Sequence, residues 1–201
     1  RSSRAVILSS HGEGIVSLSR QANLGRFVGR STDQATIVDH LARGDRLITI
    51  TGPGGIGKTR LAVELGRKLL DLEGEDALEV NFCDLTEATT LDGFCDALSA
   101  TLDLPDPKEL GGDDAISRLG EAMNARGPLL LIADNFDHLV RIAGPSLEQL
   151  LSSVPDLRVL VTSRERLHIS GERLHELGPL ELPTNHHPTA ETSEAIELFM
   201  T

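Results

Sequence analysis

The run Gly52-Pro53-Gly54-Gly55-Ile56-Gly57-Lys58-Thr59-Arg60 has the spacing of a phosphate-binding loop: a glycine, four residues, then Gly-Lys-Thr. Each position has its own mechanical part. The glycines let the backbone curl with its N–H groups pointing inward, an anion nest that a Cβ at the tightest points would obstruct. Lys58 is suited to lie along β- and γ-phosphate oxygens as a compact charge. The Thr59 hydroxyl is suited to complete the shell of an octahedral Mg²⁺ that also takes phosphate oxygens. Both stand at a helix start, whose dipole adds partial positive charge under the phosphates. A plain glycine turn would need neither Lys58 nor Thr59, so the run predicts nucleotide binding.

Three further residues have the chemistry to join this loop. Asp134 follows an apolar run, Leu129 to Ala133, and a strand ending in a carboxylate at the ligand-binding edge of an open α/β sheet is a candidate Mg²⁺ ligand opposite Thr59. Taken alone, it is equally a turn residue. Asn135 follows, where many ATP-driven motors place a Glu that polarises the attacking water, so slow hydrolysis is expected. Asp137 is the nearest carboxylate able to orient a water, and it also reads as a helix cap. Arg164 follows the apolar Leu157–Thr162 run. A guanidinium there could fork onto a γ-phosphate, for which its planar donors suit it better than Lys. The alternative is a surface Arg in a polar loop with Glu165 and Arg166. His168, His175, His186 and His187 share no ligand spacing with Cys83 and Cys95, so no zinc site is predicted and the histidines read as solvated.

The elements that must position these residues can be read from periodicity. Arg46–Thr51 is a β-branched run suited to a strand buried on both faces, and Leu61, Leu65 and Leu69 mark the core stripe of the helix after the loop. Ser31–Ala42 reads as an earlier helix with Ser31 as its cap. Further strands are expected at 78–82, 128–134, 157–162 and 173–177, and helices near 90–102, 113–125 and 146–152. Strands alternating with helices predict a parallel α/β/α sandwich. Residues 1–25 lack a sustained period and read as a lead-in or linker. The helical pattern of 192–199 runs up to the last residue, so the chain reads as a fragment of a longer protein.

Composition bounds the partners. The 201 residues carry a formal net charge of −12, which would repel a polyphosphate backbone, and no Lys/Arg stripe offsets it, so direct DNA contact by this segment is not expected. With no Trp, no Tyr and five Phe, stacking platforms for nucleic acid are not expected, and Phe27 is the one aromatic placed for a ligand site. The two cysteines fit neither a disulfide framework nor a metal site and read as reduced core thiols, with the cytoplasm as the default location. No apolar run is long enough for a membrane-spanning helix or a signal peptide.

Five segments in order, Phe27-Val28-Gly29-Arg30, Gly52 to Ala62, Leu129 to Leu139, Thr162 to Leu167 and Gly171 to Leu180, resemble the signal-transduction ATPases with numerous domains, the NB-ARC or AP-ATPase class, and most closely their bacterial transcriptional-regulator branch. The resemblance covers about residues 26 to 200. It implies a P-loop NTPase fold, a three-layer α/β/α sandwich with a mainly parallel five-stranded sheet in the order 5-1-4-3-2. Arg164 would then reach the γ-phosphate, and Phe27, Val28, Gly29 and Arg30 would pack on adenine and ribose. Where the family carries an acidic residue after that arginine, this chain has Ser31, with Asp33 the nearest carboxylate. The implied organisation is a lead-in over 1–25, a nucleotide-binding domain over 26–182 and the start of a helical domain over 183–201. The implied ligands are ATP or ADP with Mg²⁺, and the implied partners are other domains of the parent chain and further copies of it in the ATP state. A regulatory ATPase switch is the leading expectation. A non-hydrolysing nucleotide-held scaffold is the second and a metabolic kinase the third.

Overall fold

The computed structural model describes residues 27, 29–70, 78–104 and 115–180. Its elements in chain order are α1 (Ser31–Ala42), β1 (Leu47–Thr51), α2 (Lys58–Leu70), β2 (Glu79–Asp84), α3 (Leu91–Thr101) and α4 (Ala115–Asn124), then β3 (Leu129–Asp134), α5 (Val140–Ser153), β4 (Leu157–Ser163) and β5 (Glu172–Glu176). The strands form one sheet in the order β2-β3-β4-β1-β5, with every pairing parallel. This is the expected order.

Parallel strands covered on both faces must be apolar on both, which is why β3 reads as an unbroken hydrophobic run and is buried at all six positions. Successive side chains divide the core into two layers. Leu129, Leu131 and Ala133 pack with Leu157, Val159 and Val161 beneath α3, α4 and α5. Leu130, Ile132, Ile48, Ile50 and Leu160 pack beneath α1 and α2, where Leu61, Leu65 and Leu69 form the predicted stripe. The sheet is thus the middle of three layers. Because all its strands run the same way, Thr51, Asp84, Asp134, Ser163 and Glu176 end at one edge.

Local differences from the sequence reading have physical causes. Arg30, not Ser31, holds the N-cap position of α1, in a left-handed conformation (φ 62°) and without a side-chain cap bond. Thr90, which the sequence reading did not name as a cap, caps α3 by accepting the Gly93 N–H at 3.0 Å. α5 begins at Val140, six residues before the expected start, and carries Pro145 inside it. The proline lacks the N–H that would bond the Arg141 carbonyl. Burial of Ala143, Leu147, Leu150 and Leu151 along the same helix outweighs that loss. Asp137 does not cap a helix. It is the first residue of a 3₁₀ turn, Asp137–Leu139, that leads into α5, and Phe136 holds the N-cap position. The lead-in over 1–25, the start of the helix at 113, Pro105, Pro107, Val28, His186, His187 and the helical pattern of 192–199 lie outside the described residues.

Phe136 anchors the turn that follows β3. Its ring is fully buried, meets Phe94 of α3 edge-on with centroids 5.9 Å apart, and its N–H donates to the Thr162 carbonyl at 3.0 Å. Asn135 and Asp137 flank it, so this buried ring fixes where two polar side chains emerge. Phe136→Ala is expected to cost about 3–5 kcal/mol in chemical denaturation, the range for truncating a buried aromatic.

Candidate functional site

The phosphate loop turns back at Gly52, whose φ of 147° lies in the region that favours glycine. A Cβ there would stand 3.0 Å from the Leu177 carbonyl oxygen, which lies just beyond β5. At Gly57 (φ 102°) an added Cβ would meet nothing within 4 Å, so the loop is curled around open space. The Lys58 ammonium lies across the same loop, donating to the carbonyls of Gly52 at 2.8 Å and Pro53 at 3.0 Å. Desolvation draws its pKa below the usual lysine value. Asp137 and Asp134 oppose that shift, and Arg164 adds to it.

Thr59 is the second residue of α2, and its hydroxyl donates to Asp134 Oδ1 at 2.7 Å. The two residues predicted as Mg²⁺ ligands are therefore adjacent although 75 positions apart. A second donor, Thr162 Oγ1, reaches the same carboxylate oxygen at 2.5 Å and accepts the Asn135 N–H at 3.0 Å. Burial holds the Asp134 carboxyl above its ordinary value of 3.8, with the Thr162 and Thr59 hydrogen bonds pulling the other way. One hydroxyl and one carboxylate suit Mg²⁺, which takes its remaining ligands from water and phosphate. Among the described residues no cluster of three or more His, Cys, Asp or Glu could hold a metal.

The structure brings Arg164 to this edge, where its side chain is exposed and pairs with Asp137, Nε to Oδ2 at 3.3 Å. Asn135 adopts φ 63°, a left-handed conformation that Asn tolerates better than most residues and that would strain a Glu. Its side-chain N–H₂ points to Thr86 Oγ1 at 3.4 Å, and that hydroxyl donates to Asp84 at 2.6 Å.

The Arg30 side chain is buried as a bracket. It donates to the carbonyls of Gly178 at 2.7 Å and Ile56 at 3.4 Å and pairs with Asp33 at 3.4 Å. Beside it lies a cavity of about 370 Å³. Phe27 and Arg30 line it from before α1, Gly55, Ile56, Gly57 and Arg60 from the loop and α2, and Pro179 and Leu180 from beyond β5. The Arg60 guanidinium lies over the Phe27 ring, 5.8 Å from its centroid. Gly29 is half-buried in the segment between them. His175, read as solvated, is a correction: its ring lies 2.8 Å from Asp33, and its side chain is 11% exposed. Cys83 and Cys95 are buried and unbridged, and burial pushes the Cys83 thiol up to about 11.

Thr162, Asp84 and Gly178 were not singled out by sequence. Thr162 is two positions before Arg164 at the end of β4, and only the strand order shows that it faces Asp134.

Residues 41–169 match the family described as the AAA domain. An uncharacterized protein of Mycobacterium tuberculosis is 33% identical over 186 residues, covering 90% of this chain and 42% of that protein. A second M. tuberculosis protein, provisionally assigned as an HTH-type transcriptional regulator, is 31% identical over 77% of this chain and 16% of its own length. The chain thus spans less than half the length of these relatives. Among solved structures, the chain is similar to a signal transduction ATPase with numerous domains from Pyrococcus horikoshii that carries a tetratricopeptide repeat sensor. The TM-score is 0.57 at 20% identity, over 79% of this chain and 24% of that one. It is also similar to the Aeropyrum pernix ORC1 protein solved with DNA, at TM-score 0.59 and 17% identity, over 78% of this chain and 47% of that one. Both show the same fold. Among the described residues no helix is long and apolar enough to cross a membrane.

The raised carboxyl value of Asp134 has a consequence for stability without ligand. A group whose folded pKa is raised is most favourable when protonated, and its contribution is lost as pH rises through the folded value. Asp134→Asn, which mimics the neutral form, is expected to melt a few degrees above wild type at pH 7 without nucleotide, about 2–4 °C. The gap should close as pH falls below the raised value. Calorimetry at two pH values checks this.

Proposed function

Because the chain belongs to the AAA domain family, whose members generally bind ATP or ADP with Mg²⁺, we propose that it is an ATP/ADP-binding regulatory switch module of a larger signalling or transcriptional regulator, one that hydrolyses ATP slowly. The observation that carries this reading is the meeting of Thr59 with Asp134 beside the Lys58-bearing loop. Residues 26–182 are the nucleotide-binding unit on this reading, 1–25 a lead-in and 183–201 the start of a helical domain. The five-segment resemblance supports placing it with the NB-ARC-like regulators, and so does the relative provisionally assigned as a transcriptional regulator. Other domains of the parent chain, and further copies in the ATP state, are the partners.

Each side chain has a part. The loop's N–H groups and the Lys58 ammonium hold the phosphates, and Lys58 exchanges its two loop carbonyls for phosphate oxygens. Thr59 and Asp134 hold Mg²⁺, which when bound neutralises developing charge on the phosphates. Thr162 keeps Asp134 oriented while Thr59 turns to the metal. Arg164 answers to the terminal phosphate. The cavity lined by Phe27, Arg30, Ile56, Arg60 and Pro179 receives the base and ribose. Asn135 carries no carboxylate to activate water, which leaves chemistry slow. The switch is a population shift, driven by unequal affinity of two conformations for ATP and ADP.

Asn135 also favours a second reading, a scaffold that holds nucleotide and never cleaves it. Isothermal titration with Mg²⁺-ADP and Mg²⁺-ATP, paired with single-turnover cleavage, separates the two. Binding with slow cleavage is expected, and binding without any cleavage would leave the scaffold. Lys58→Ala is expected to weaken both nucleotides about ten-fold or more, the cost of a lost charge-assisted contact. Wild-type affinity and turnover in that variant would sink the mechanism.

A further inference from the structure

We propose that Asp137 is a latch that holds the Arg164 guanidinium at the turn after β3 until a triphosphate draws it away, so that this pair sets the preference between ATP and ADP. The inference rests on the nucleotide reading above and names the residue that regulates it.

One carboxylate makes two bonds of different kinds to the same residue. Asp137 Oδ1 accepts the Arg164 main-chain N–H at 2.6 Å, and Oδ2 stands 3.3 Å from Arg164 Nε. The first bond ties the end of β4 to the 3₁₀ turn and leaves the carboxylate in place whatever the side chain does. The second is easily exchanged, because the Arg164 side chain is 71% exposed and the Asp137 side chain 22%, and an ion pair so exposed to water contributes little to stability. A fixed carboxylate with a releasable cation is the arrangement a latch needs. Phe136, buried beside Asp137, keeps the turn itself from following the guanidinium.

The pair also stands within electrostatic reach of the phosphate loop. Lys58 follows β1, Arg164 follows β4 and Asp137 follows β3, three neighbouring parallel strands that end at one edge. The same edge carries two cations, Lys58 and Arg164, near Asp134, with Asp137 the carboxylate paired to Arg164. A terminal phosphate brings more negative charge than that carboxylate and offers oxygens that match a planar guanidinium. It competes for Arg164 and repels Asp137 at once. A diphosphate lacks that group and leaves the pair closed. The two nucleotides thereby differ in interaction free energy with two arrangements of one side chain, which is the requirement for a ligand-driven shift. Asp137 is on this account a positioning residue acting through Arg164.

The test is titration of the full chain with Mg²⁺-ATP and Mg²⁺-ADP in wild type, Asp137→Asn, Arg164→Gln and the double variant. Asn keeps an oxygen for the Arg164 N–H and removes the charge. Asp137→Asn is expected to raise the ATP-over-ADP affinity ratio about two- to five-fold, the scale of an exposed ion pair, and to have no effect on the ratio once Arg164 is Gln. If Asp137→Asn misfolds, Arg164→Gln alone, at an exposed side chain, is expected to lower the ratio. An unchanged ratio in either folded single variant, with both nucleotides still bound, overturns the latch and leaves the nucleotide reading standing. A shift that persists without Arg164 also overturns it, since Asp137 would then act on the phosphate directly. Failure of wild type to bind either nucleotide overturns the nucleotide reading, and the latch falls with it.

Discussion

A carboxylate set at the end of a fully buried apolar strand must find donors or give up its charge, and Asp134 finds the hydroxyls of Thr59 and Thr162. Much of the site follows from meeting that requirement. Thr162 is within reach because β4 lies between β1 and β3. Thr59 is within reach because the chain leaves β1, closes a loop and starts α2 at the same edge of the sheet. The loop closes that tightly because Gly52 lets it pass the Leu177 carbonyl, where a Cβ would stand at 3.0 Å. Three segments remote in sequence are thus held at one carboxylate oxygen.

In a chain with a net charge of −12, the same edge gathers several of its cations. Lys58 and Arg164 stand at this edge with Asp134 and Asp137 beside them, and Arg60 lies over Phe27 on the cavity side of the loop. Asp134 is held by neutral hydroxyls, which can turn towards a metal without leaving an unpaired cation behind. Asn135 fits the left-handed turn after β3 and brings an amide that meets Thr86, so the geometry of the turn and the absence of a Glu at that position have one explanation. Chemistry at this site depends on positions set by buried neighbours, above all Phe136.

The residues on the far side of the loop serve a different end. Arg30 spends its guanidinium on Gly178, Ile56 and Asp33, and Asp33 in turn meets His175. The bracket ties the loop, the start of α1 and the segment after β5 around one cavity. A ligand filling that cavity would touch all three, which gives nucleotide occupancy a physical route to the chain that follows β5.

The sequence by itself determined the phosphate loop, the core stripe of α2 and the apolar run of β3, because each is a local signal of spacing or periodicity. The strand order and Arg164's place in it came from resemblance, and the pairings bear that order out. Periodicity failed where packing overrode it in α5, whose buried face carries the helix through Pro145, and the reading of His175 as solvated failed because its pairing with Asp33 spans 142 positions. Tertiary structure alone decided which donors Asp134 uses, where the Arg30 guanidinium goes and that Asp137 holds Arg164. Those are contacts between strand ends that only the folded sheet makes neighbours, and no local pattern records them.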